Sequence, residues 1–96
     1  MIIEKNVQDK TVEMKLEGWL DTQSAPLLEE AVNELDGSAA NLVLDFTKLE
    51  YISSAGLRQV VAAYKKMNGN MTLRNVSSEI LEIFKMTGVD KRIKFE

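Results

Sequence analysis

The sequence predicts a small α/β domain in which helices pack on a mixed, mostly parallel β-sheet. Three observations support this fold class. Segments that alternate apolar and polar residues, as strands do, take turns with segments whose apolar residues recur at helical spacing. Residues 42–44 are three consecutive aliphatic residues, the pattern of a strand buried on both faces of a parallel sheet. Polar and glycine-containing stretches separate the segments, which follow one another in the order β-β-α-β-α-β-α-β.

The N-terminal part of the chain predicts a β-hairpin. Residues 11–16 alternate apolar and polar side chains, which is the period of a half-buried strand. Residues 2–5 form a weaker candidate strand that can pair with them across the polar turn at residues 8–10. We therefore expect the sheet to begin with two antiparallel strands.

A first helix is predicted after this hairpin. We expect Asp21 or Thr22 to cap the helix, because their side chains can accept a hydrogen bond from its first N–H groups. Pro26 fits in a first turn, and Gly37 marks the expected end. The buried face is formed by apolar residues at helical spacing, namely Leu28, Ala31, Val32 and Leu35.

Residues 41–46 predict the central strand, and residues 47–51 a connection to a second helix. Ser53 and Ser54 are possible caps at the start of that helix, which should run to about Met67. Its predicted sheet-facing stripe consists of Leu57, Val60, Val61, Tyr64 and Met67. Residues on the other sides of the helix are expected to face water.

The C-terminal part predicts one more helix between two short strands. Residues 71–74 form a short strand after a turn, and residues 93–95 form the last strand. Ser77 or Ser78 can cap the third helix, and Gly88 ends it. The apolar residues of this helix are Ile80, Leu81, Ile83 and Phe84.

The composition excludes several kinds of site. The 96-residue chain has no histidine and no cysteine, which removes disulfides, thiolate metal sites, cysteine nucleophiles and the usual general base. We therefore exclude a Ser-His-Asp hydrolase, and we expect no metal and no cofactor. The longest apolar run, residues 60–64, is too short to span a membrane, and residues 1–5 do not resemble a secretory signal. We expect a cytoplasmic protein that does not insert into a membrane.

A basic patch near the C-terminus is formed by Lys91, Arg92 and Lys94. Such a patch can contact phosphates, but no aromatic stacking platform accompanies it and the chain has a net charge of −3. A solvated edge of the sheet is the favoured interpretation, and no direct nucleic-acid partner is expected.

Two corners, where a strand ends and a helix begins, are candidates for function, because functional groups gather there in such sheets. One is at residues 18–22, and the other, at residues 46–56, holds Ser53 and Ser54. Unpaired N–H groups and the helix dipole at a helix start favour an anion, so a phosphate on either serine would be accommodated. Gly56 weakens the first turn, which suggests a close approach by another backbone or a ligand. From the residues alone, helix capping is the simpler role for both serines.

Three motifs of the chain resemble those of the STAS domains, the family of the bacterial anti-sigma factor antagonists. Tyr51-Ile52-Ser53-Ser54-Ala55-Gly56-Leu57 is similar to the family's phosphorylation segment. Gly18-Trp19-Leu20-Asp21 is similar to its Gly-x-Leu-Asp corner. Residues 83–88 and 93–95 resemble its third helix and last strand. The likeness covers nearly the whole chain and implies one STAS domain over residues 1–96.

The resemblance implies a protein switched by phosphorylation rather than an enzyme. In the family, a GHKL-type partner that is both anti-sigma factor and serine kinase phosphorylates the serine that Ser54 matches, and a phosphatase resets the state. The unphosphorylated form sequesters the anti-sigma factor, and the sigma factor is released as a result. This sequence has Ser53 where many members have aspartate, and Ala55 where they have a second serine or threonine.

The predicted partner-binding surface combines both corners and consists of Trp19, Asp21, Ser53, Ser54, Gly56 and Arg58. Ser53 is expected to be mainly a helix cap. Trp19 could anchor a partner or cover the end of the core, Asp21 could contact a partner or cap a helix, and Arg58 could contact a partner or be a solvated surface residue. Asp45 is favoured as an acceptor of backbone N–H bonds that fixes its loop, over a role in holding Mg²⁺.

Two other functions are alternatives. A constitutive STAS subunit of a membrane transport complex, as in lipid-trafficking ABC systems, would use the same fold as a structural part. A small phosphotransfer or hydrolytic enzyme would have to use Ser53 or Ser54 with Lys48. The lack of histidine, cysteine and a glycine-rich cradle makes the enzyme the weaker alternative.

Overall fold

The computed structural model describes residues 1–35, 37 and 39–96, and within them the chain forms a five-stranded sheet and three α-helices. The elements in chain order are β1 (Ile2–Gln8), β2 (Thr11–Leu20), α1 (Ala25–Asn33), β3 (Asn41–Ile52), α2 (Ser54–Lys66), β4 (Met71–Arg74), α3 (Ser78–Thr87) and β5 (Lys94–Phe95). A 3₁₀ turn at Val89–Lys91 leads into β5. The predicted fold class and element order are confirmed. No helix in this described part of the chain is long and apolar enough to cross a membrane.

The strands lie in the order β1-β2-β3-β4-β5, with β1 antiparallel to β2 and each later pair of neighbours parallel. Every crossover from β2 onward steps in the same direction along the sheet. Because such crossovers are right-handed, α1, α2 and α3 all pack on one face. The β2 side chains beneath the helices are buried, namely Val12, Met14, Leu16 and Leu20. We call the other side of the sheet the open face; it carries the alternate β2 residues Glu13, Lys15, Glu17 and Trp19.

The open face is covered over the central strand by charged side chains rather than by a helix. Arg74 Nη1 on β4 lies 2.6 Å from Glu13 Oε2 on β2, so this ion pair passes over β3. Arg74 Nη2 also lies 3.2 Å from Glu96 Oε1. Val43 and Asp45 of β3, which share this face, are only 9% and 8% exposed. The prediction that the central strand is buried on both sides is confirmed, with this ion-pair network on the open side.

Two strands are longer than the sequence predicts. The pattern predicts an end at residue 16 for β2, but this strand continues to Leu20. The prediction of a connection at residues 47–51 is wrong, because β3 continues through them to Ile52. At each of two register shifts against β2, β3 carries one extra residue. Such bulges interrupt the alternation of apolar and polar residues, which is the signal from which strand ends are predicted.

Helix α1 is shorter than predicted at both ends. Its N-cap is Ser24 rather than Asp21 or Thr22, and it ends at Asn33 rather than near Gly37. The start is displaced because the Asp21 carboxylate holds the turn that precedes the helix instead of capping the helix itself. The correction moves Asp21 into the loop between β2 and α1.

Helix α2 is turned slightly relative to the predicted stripe. Its buried residues are Gly56, Leu57, Val60 and Ala63, whereas Val61 and Tyr64 are half-buried. Tyr64 packs against the core as predicted, but Val61 does not belong to that cluster, so the prediction that Val61 faces the sheet is wrong. The close packing of Gly56 on the end of β2 accounts for the rotation, because it brings the 56–60–63 side of the helix onto the sheet.

Candidate functional site

The two predicted corners lie side by side at the carboxyl ends of β2 and β3. Leu20 and Ile52 are the last register partners of these strands. The following residue, Ser53, donates its backbone N–H to the Leu20 carbonyl oxygen at 2.9 Å. Asp21 therefore starts its loop beside the start of α2. The sheet brings the first corner and the serine pair together.

Gly56, in the first turn of α2, packs directly against the end of β2. A Cβ atom at this position would lie 2.4 Å from the Leu20 carbonyl oxygen and 2.8 Å from Leu20 Cγ. The predicted close approach is confirmed, and the approaching group is the Leu20 backbone. Glycine at this position therefore allows α2 to begin at the joined strand ends.

The two serines have different environments. Ser53 is the N-cap of α2 with φ −95° and ψ 174°, and its Oγ accepts a hydrogen bond from the Gly56 N–H at 3.2 Å. The prediction that Ser53 caps the helix is confirmed. Ser54 is the first residue of α2 and is exposed. It therefore lies where the N–H groups and the dipole of the helix favour a negative charge.

Asp21 fixes the loop at the first corner. Its Oδ1 accepts hydrogen bonds from the Ser24 N–H at 3.0 Å and from the Gln23 N–H at 3.1 Å. These bonds, first among them the one from Ser24, lower the pKa of Asp21 below the ordinary value for aspartate, so the carboxylate is ionised at neutral pH. Of the two roles weighed for Asp21, the structure shows a local structural one. A partner contact by this half-buried residue remains a prediction.

Trp19 and Tyr51 form an exposed aromatic pair beside the serines. They are register partners on β2 and β3, and their ring centroids lie 5.4 Å apart. Trp19 lies within β2, beyond the strand end that the sequence predicts at residue 16. Its exposed fraction is 57%, so it does not cover the end of the core.

Arg58 and Lys48 have contrasting positions relative to the serines. Arg58 is exposed and lies one helical turn after Ser54, so the two residues share a side of α2. The predicted exposure of Arg58 is confirmed. Lys48 lies within β3, opposite Glu17 and five residues before Ser53, which is about 16 Å along an extended strand. The groups that a serine–lysine enzyme would need are not brought together.

Asp45 holds the bulged part of β3. Its Oδ1 accepts hydrogen bonds from the Thr47 N–H at 2.8 Å and the Thr47 hydroxyl at 2.5 Å, and Asn75 Nδ2 lies 3.5 Å away. Burial raises the pKa of Asp45, but these hydrogen bonds outweigh burial and lower the pKa below its ordinary value. The prediction that Asp45 accepts a backbone N–H bond is confirmed, although the segment that it fixes is a strand and not a loop.

Two residues of the site are not identified by the sequence reasoning. Ser24 donates its hydroxyl to the Trp19 carbonyl oxygen at 2.6 Å and accepts from the Asp21 N–H at 2.9 Å, so it ties β2 to α1. A serine two residues before Pro26 is a helix-start signal that could have indicated it. Tyr51 has no comparable signal, because its pairing with Trp19 depends on the bulges of β3.

Comparison with known proteins agrees with this geometry. A family model described as STAS domain matches residues 3–96 of the chain. The anti-sigma-B factor antagonist of Staphylococcus aureus (strain NCTC 8325) is 33% identical over 92 residues, which cover 91% of this chain and 84% of that protein. The anti-sigma-B factor antagonist of Bacillus subtilis (strain 168) is 29% identical over 90 residues, with 91% and 81% covered. The solved structure of the Bacillus cell fate determinant SpoIIAA in the phosphorylated form covers 99% of this chain and 91% of its own, with a TM-score of 0.77; at 19% identity this shows a shared fold.

Proposed function

We propose that this chain, which belongs to the STAS domain family, acts as an anti-sigma factor antagonist. The family is one of regulatory binding proteins, not enzymes, and the curated relatives are named for this role. We expect residues 1–96 to act as one STAS domain in the cytoplasm. The unphosphorylated protein would sequester an anti-sigma factor and thereby release a sigma factor.

The proposed phosphate acceptor is Ser54, and the different environments of the two serines carry this proposal. The Ser53 hydroxyl is engaged as the cap of α2 through the Gly56 N–H. Ser54 is exposed in the first helical turn. A phosphate can therefore be added to Ser54 without removing the cap, whereas modification of Ser53 would disturb the start of the helix.

Phosphorylation at this position should change binding without changing the fold. A phosphoserine carries about −1.5 to −2 charges at pH 7, and a helix N-terminus stabilises such a charge by about 0.3–1 kcal/mol. A partner surface that fits a neutral hydroxyl would have to desolvate the phosphate, which commonly costs several kcal/mol. Because each 1.4 kcal/mol weakens binding tenfold, we expect affinity to fall by about a hundredfold or more.

The proposed partner is a GHKL-type protein that is both anti-sigma factor and serine kinase. The chain itself would supply the acceptor hydroxyl, and the partner would supply the catalytic base, ATP and Mg²⁺. A phosphatase would remove the phosphate from Ser54 and restore binding. The predicted contact surface around Ser54 includes Asp21 and Arg58, which the strand ends and the first turns of α2 bring to one corner. Gly56 is buried against Leu20 and would position the start of α2 rather than contact a partner.

The test is phosphorylation with purified components. The chain is incubated with Mg²⁺, ATP and each GHKL-type kinase of its host, and mass spectrometry locates the added phosphate. Calorimetry then compares the affinity of the kinase for the unmodified and the phosphorylated chain. We expect a single phosphate on Ser54 and the loss of affinity given above.

Two variants serve as matched controls. Ser54→Ala should keep the partner bound and accept no phosphate. Ser53→Ala should still be phosphorylated on Ser54, while losing about 0.5–2 kcal/mol of stability through the lost cap. A phosphate on Ser53 would contradict the assignment of Ser54. Equal affinities of the two forms would contradict the switch and favour the constitutive transport subunit.

A further inference from the structure

An exposed aromatic pair lies at the carboxyl end of the sheet, and it joins Trp19 of the predicted partner-binding surface to Tyr51, which has no assigned role. Trp19 and Tyr51 are 57% and 46% exposed, and their ring planes are inclined at 50°. Aromatic rings contribute large apolar areas and dominate the energetics of cores and interfaces. This protein keeps two of them in contact with each other and with solvent.

The pair is not accounted for by the packing of the core. In the part of the chain that the structure describes, neither ring belongs to the hydrophobic core or to the partly buried side chains packed against it. The adjacent residues Leu20 and Ile52 fill the core instead, with 0% and 2% of their surface exposed. The rings therefore stabilise the sheet by their cross-strand contact but do not fill the core, and their exposed faces are free to bind a partner.

The surroundings of the pair carry a net negative charge, although Lys48 lies opposite Glu17 in the register of the two strands. Residues 17–21, which are the last four of β2 and Asp21, and residues 48–52, the last five of β3, contain three acidic residues and one basic residue, namely Glu17, Asp21, Glu50 and Lys48. Glu17 is exposed and precedes Trp19 by two positions in β2, so the two side chains share the open face. An aromatic surface beside a carboxylate is suited to a cation with a flat apolar face.

We propose that Trp19 and Tyr51 bind an arginine side chain of the same partner that contacts Ser54. A guanidinium stacks on indole and phenol rings and pairs with carboxylates, so Trp19 would supply the stacking face and Glu17 the opposite charge. This inference rests on the proposed function. A shared partner is proposed because both sites lie at the same end of the sheet, where Tyr51 is two residues before Ser53 and Trp19 two before Asp21. The arginine contact would add to the affinity for the partner next to Ser54, without using the Ser54 hydroxyl.

Substitutions of Trp19 that separate an aromatic face from apolar bulk test the proposal. Calorimetry measures the affinity of the GHKL-type kinase that phosphorylates Ser54 for Trp19→Phe, Trp19→Leu and Trp19→Ala. We expect Trp19→Ala to weaken binding at least about thirtyfold, as truncation of an interface hot spot does. Trp19→Leu should lose nearly as much, whereas Trp19→Phe should stay within about fivefold of the parent chain. Glu17→Gln should weaken binding and reduce its dependence on salt.

The matched control is Met86→Ala. Met86 is an exposed apolar residue, with 83% of its surface accessible, and it lies near the C-terminal end of α3 rather than on β2 or β3. This variant should bind like the parent chain. Urea unfolding verifies that each variant folds, and Tyr51→Leu, on the neighbouring strand, repeats the test if a Trp19 variant does not fold.

Each outcome has a distinct consequence. If Trp19→Leu binds like the parent chain, the pair is a purely apolar anchor and the arginine proposal is wrong. If Trp19→Ala binds like the parent chain while phosphorylation of Ser54 still weakens binding, this inference fails and the proposed function stands. If no GHKL-type kinase binds the parent chain, the proposed function fails and this inference fails with it.

Discussion

Replacing Gly56 with alanine tests whether the close contact between α2 and β2 builds the serine corner. The new Cβ atom would lie 2.4 Å from the Leu20 carbonyl oxygen, 2.8 Å from Leu20 Cγ and 3.0 Å from Ile52 Cγ1. The shortest of these distances is to a backbone atom, which no side-chain rotation can move. The same carbonyl accepts the Ser53 N–H at 2.9 Å, so any shift that relieves the clash also strains that hydrogen bond.

Two effects of opposite sign decide the stability of Gly56→Ala. Alanine favours a helix over glycine by about 1 kcal/mol, which would stabilise the variant. Overpacking costs roughly 1–3 kcal/mol, and loss of the hydrogen bond between Ser53 and Leu20 costs about 0.5–1.5 kcal/mol. The destabilising effects are larger, and we expect a net loss of about 2 kcal/mol. For a chain of this size, that lowers the melting temperature by about 10 °C.

Thermal and urea unfolding followed by circular dichroism measure this loss. Ser54→Ala is the control, because it lies in the same helical turn, is exposed, and should change stability by no more than about 0.5 kcal/mol. Because Gly56→Ala displaces the start of α2, phosphorylation of Ser54 by the cognate kinase should also slow. A variant that melts at or above the temperature of the parent chain would show that helix propensity outweighs the clash, and would refute the argument.

Three other predictions concern the buried side of α2, the ion pairs of Arg74 on the open face, and the carboxylate of Asp45. Val60→Ala, at a fully buried position, should cost about 2 kcal/mol in urea unfolding, and Val61→Ala, at a half-buried position, clearly less; equal costs would contradict the observed rotation of α2. Arg74→Ala should lower the free energy of unfolding by about 1 kcal/mol, because it removes two ion pairs and uncovers the central strand. If this loss is the same in 1 M salt, the ion pairs do not contribute to it. The Thr47 hydrogen bonds hold the folded-state pKa of Asp45 below its ordinary value, so their stabilisation is present above about pH 4 and lost as the pH falls further. Asp45→Asn should therefore be less stable at neutral pH and lose less on acidification, and parallel pH profiles of the two chains would contradict this.

The features that the sequence predicts correctly are those decided within a few residues. Ser53 and Ser77 cap α2 and α3 through their own side chains, and Gly88 ends α3 at a φ of +76° that other residues rarely adopt. The close approach at Gly56 is also predictable, because a glycine in a first helical turn costs stability unless something requires it. What approaches could not be predicted, since Leu20 is 36 positions away in sequence and comes close only through the pairing of β2 with β3.

The strand ends and the aromatic pair could not be predicted for a related physical reason. The extension of β3 beyond Phe46 buries only Leu49 and Ile52, so its apolar residues follow neither the period of a strand nor that of a helix. Bulged strands lose the period of two because an extra residue shifts every later side chain along the sheet. The exposure of Trp19 likewise depends on which face of the sheet lacks helices, a property of the crossovers rather than of any local segment.

The bulges of β3 also determine where the serine corner lies. Thr11 pairs with Asn41, an offset of 30 positions, whereas Leu20 pairs with Ile52, an offset of 32, so β3 contains two more residues than β2 over the paired length. Without those two residues the partner of Leu20 would be residue 50. The Ser53 N–H would then lie beyond the Leu20 carbonyl, and Trp19 would stand opposite residue 49 instead of Tyr51. The capped serine and the aromatic pair therefore have one structural cause, because the same two extra residues bring both to the end of β2.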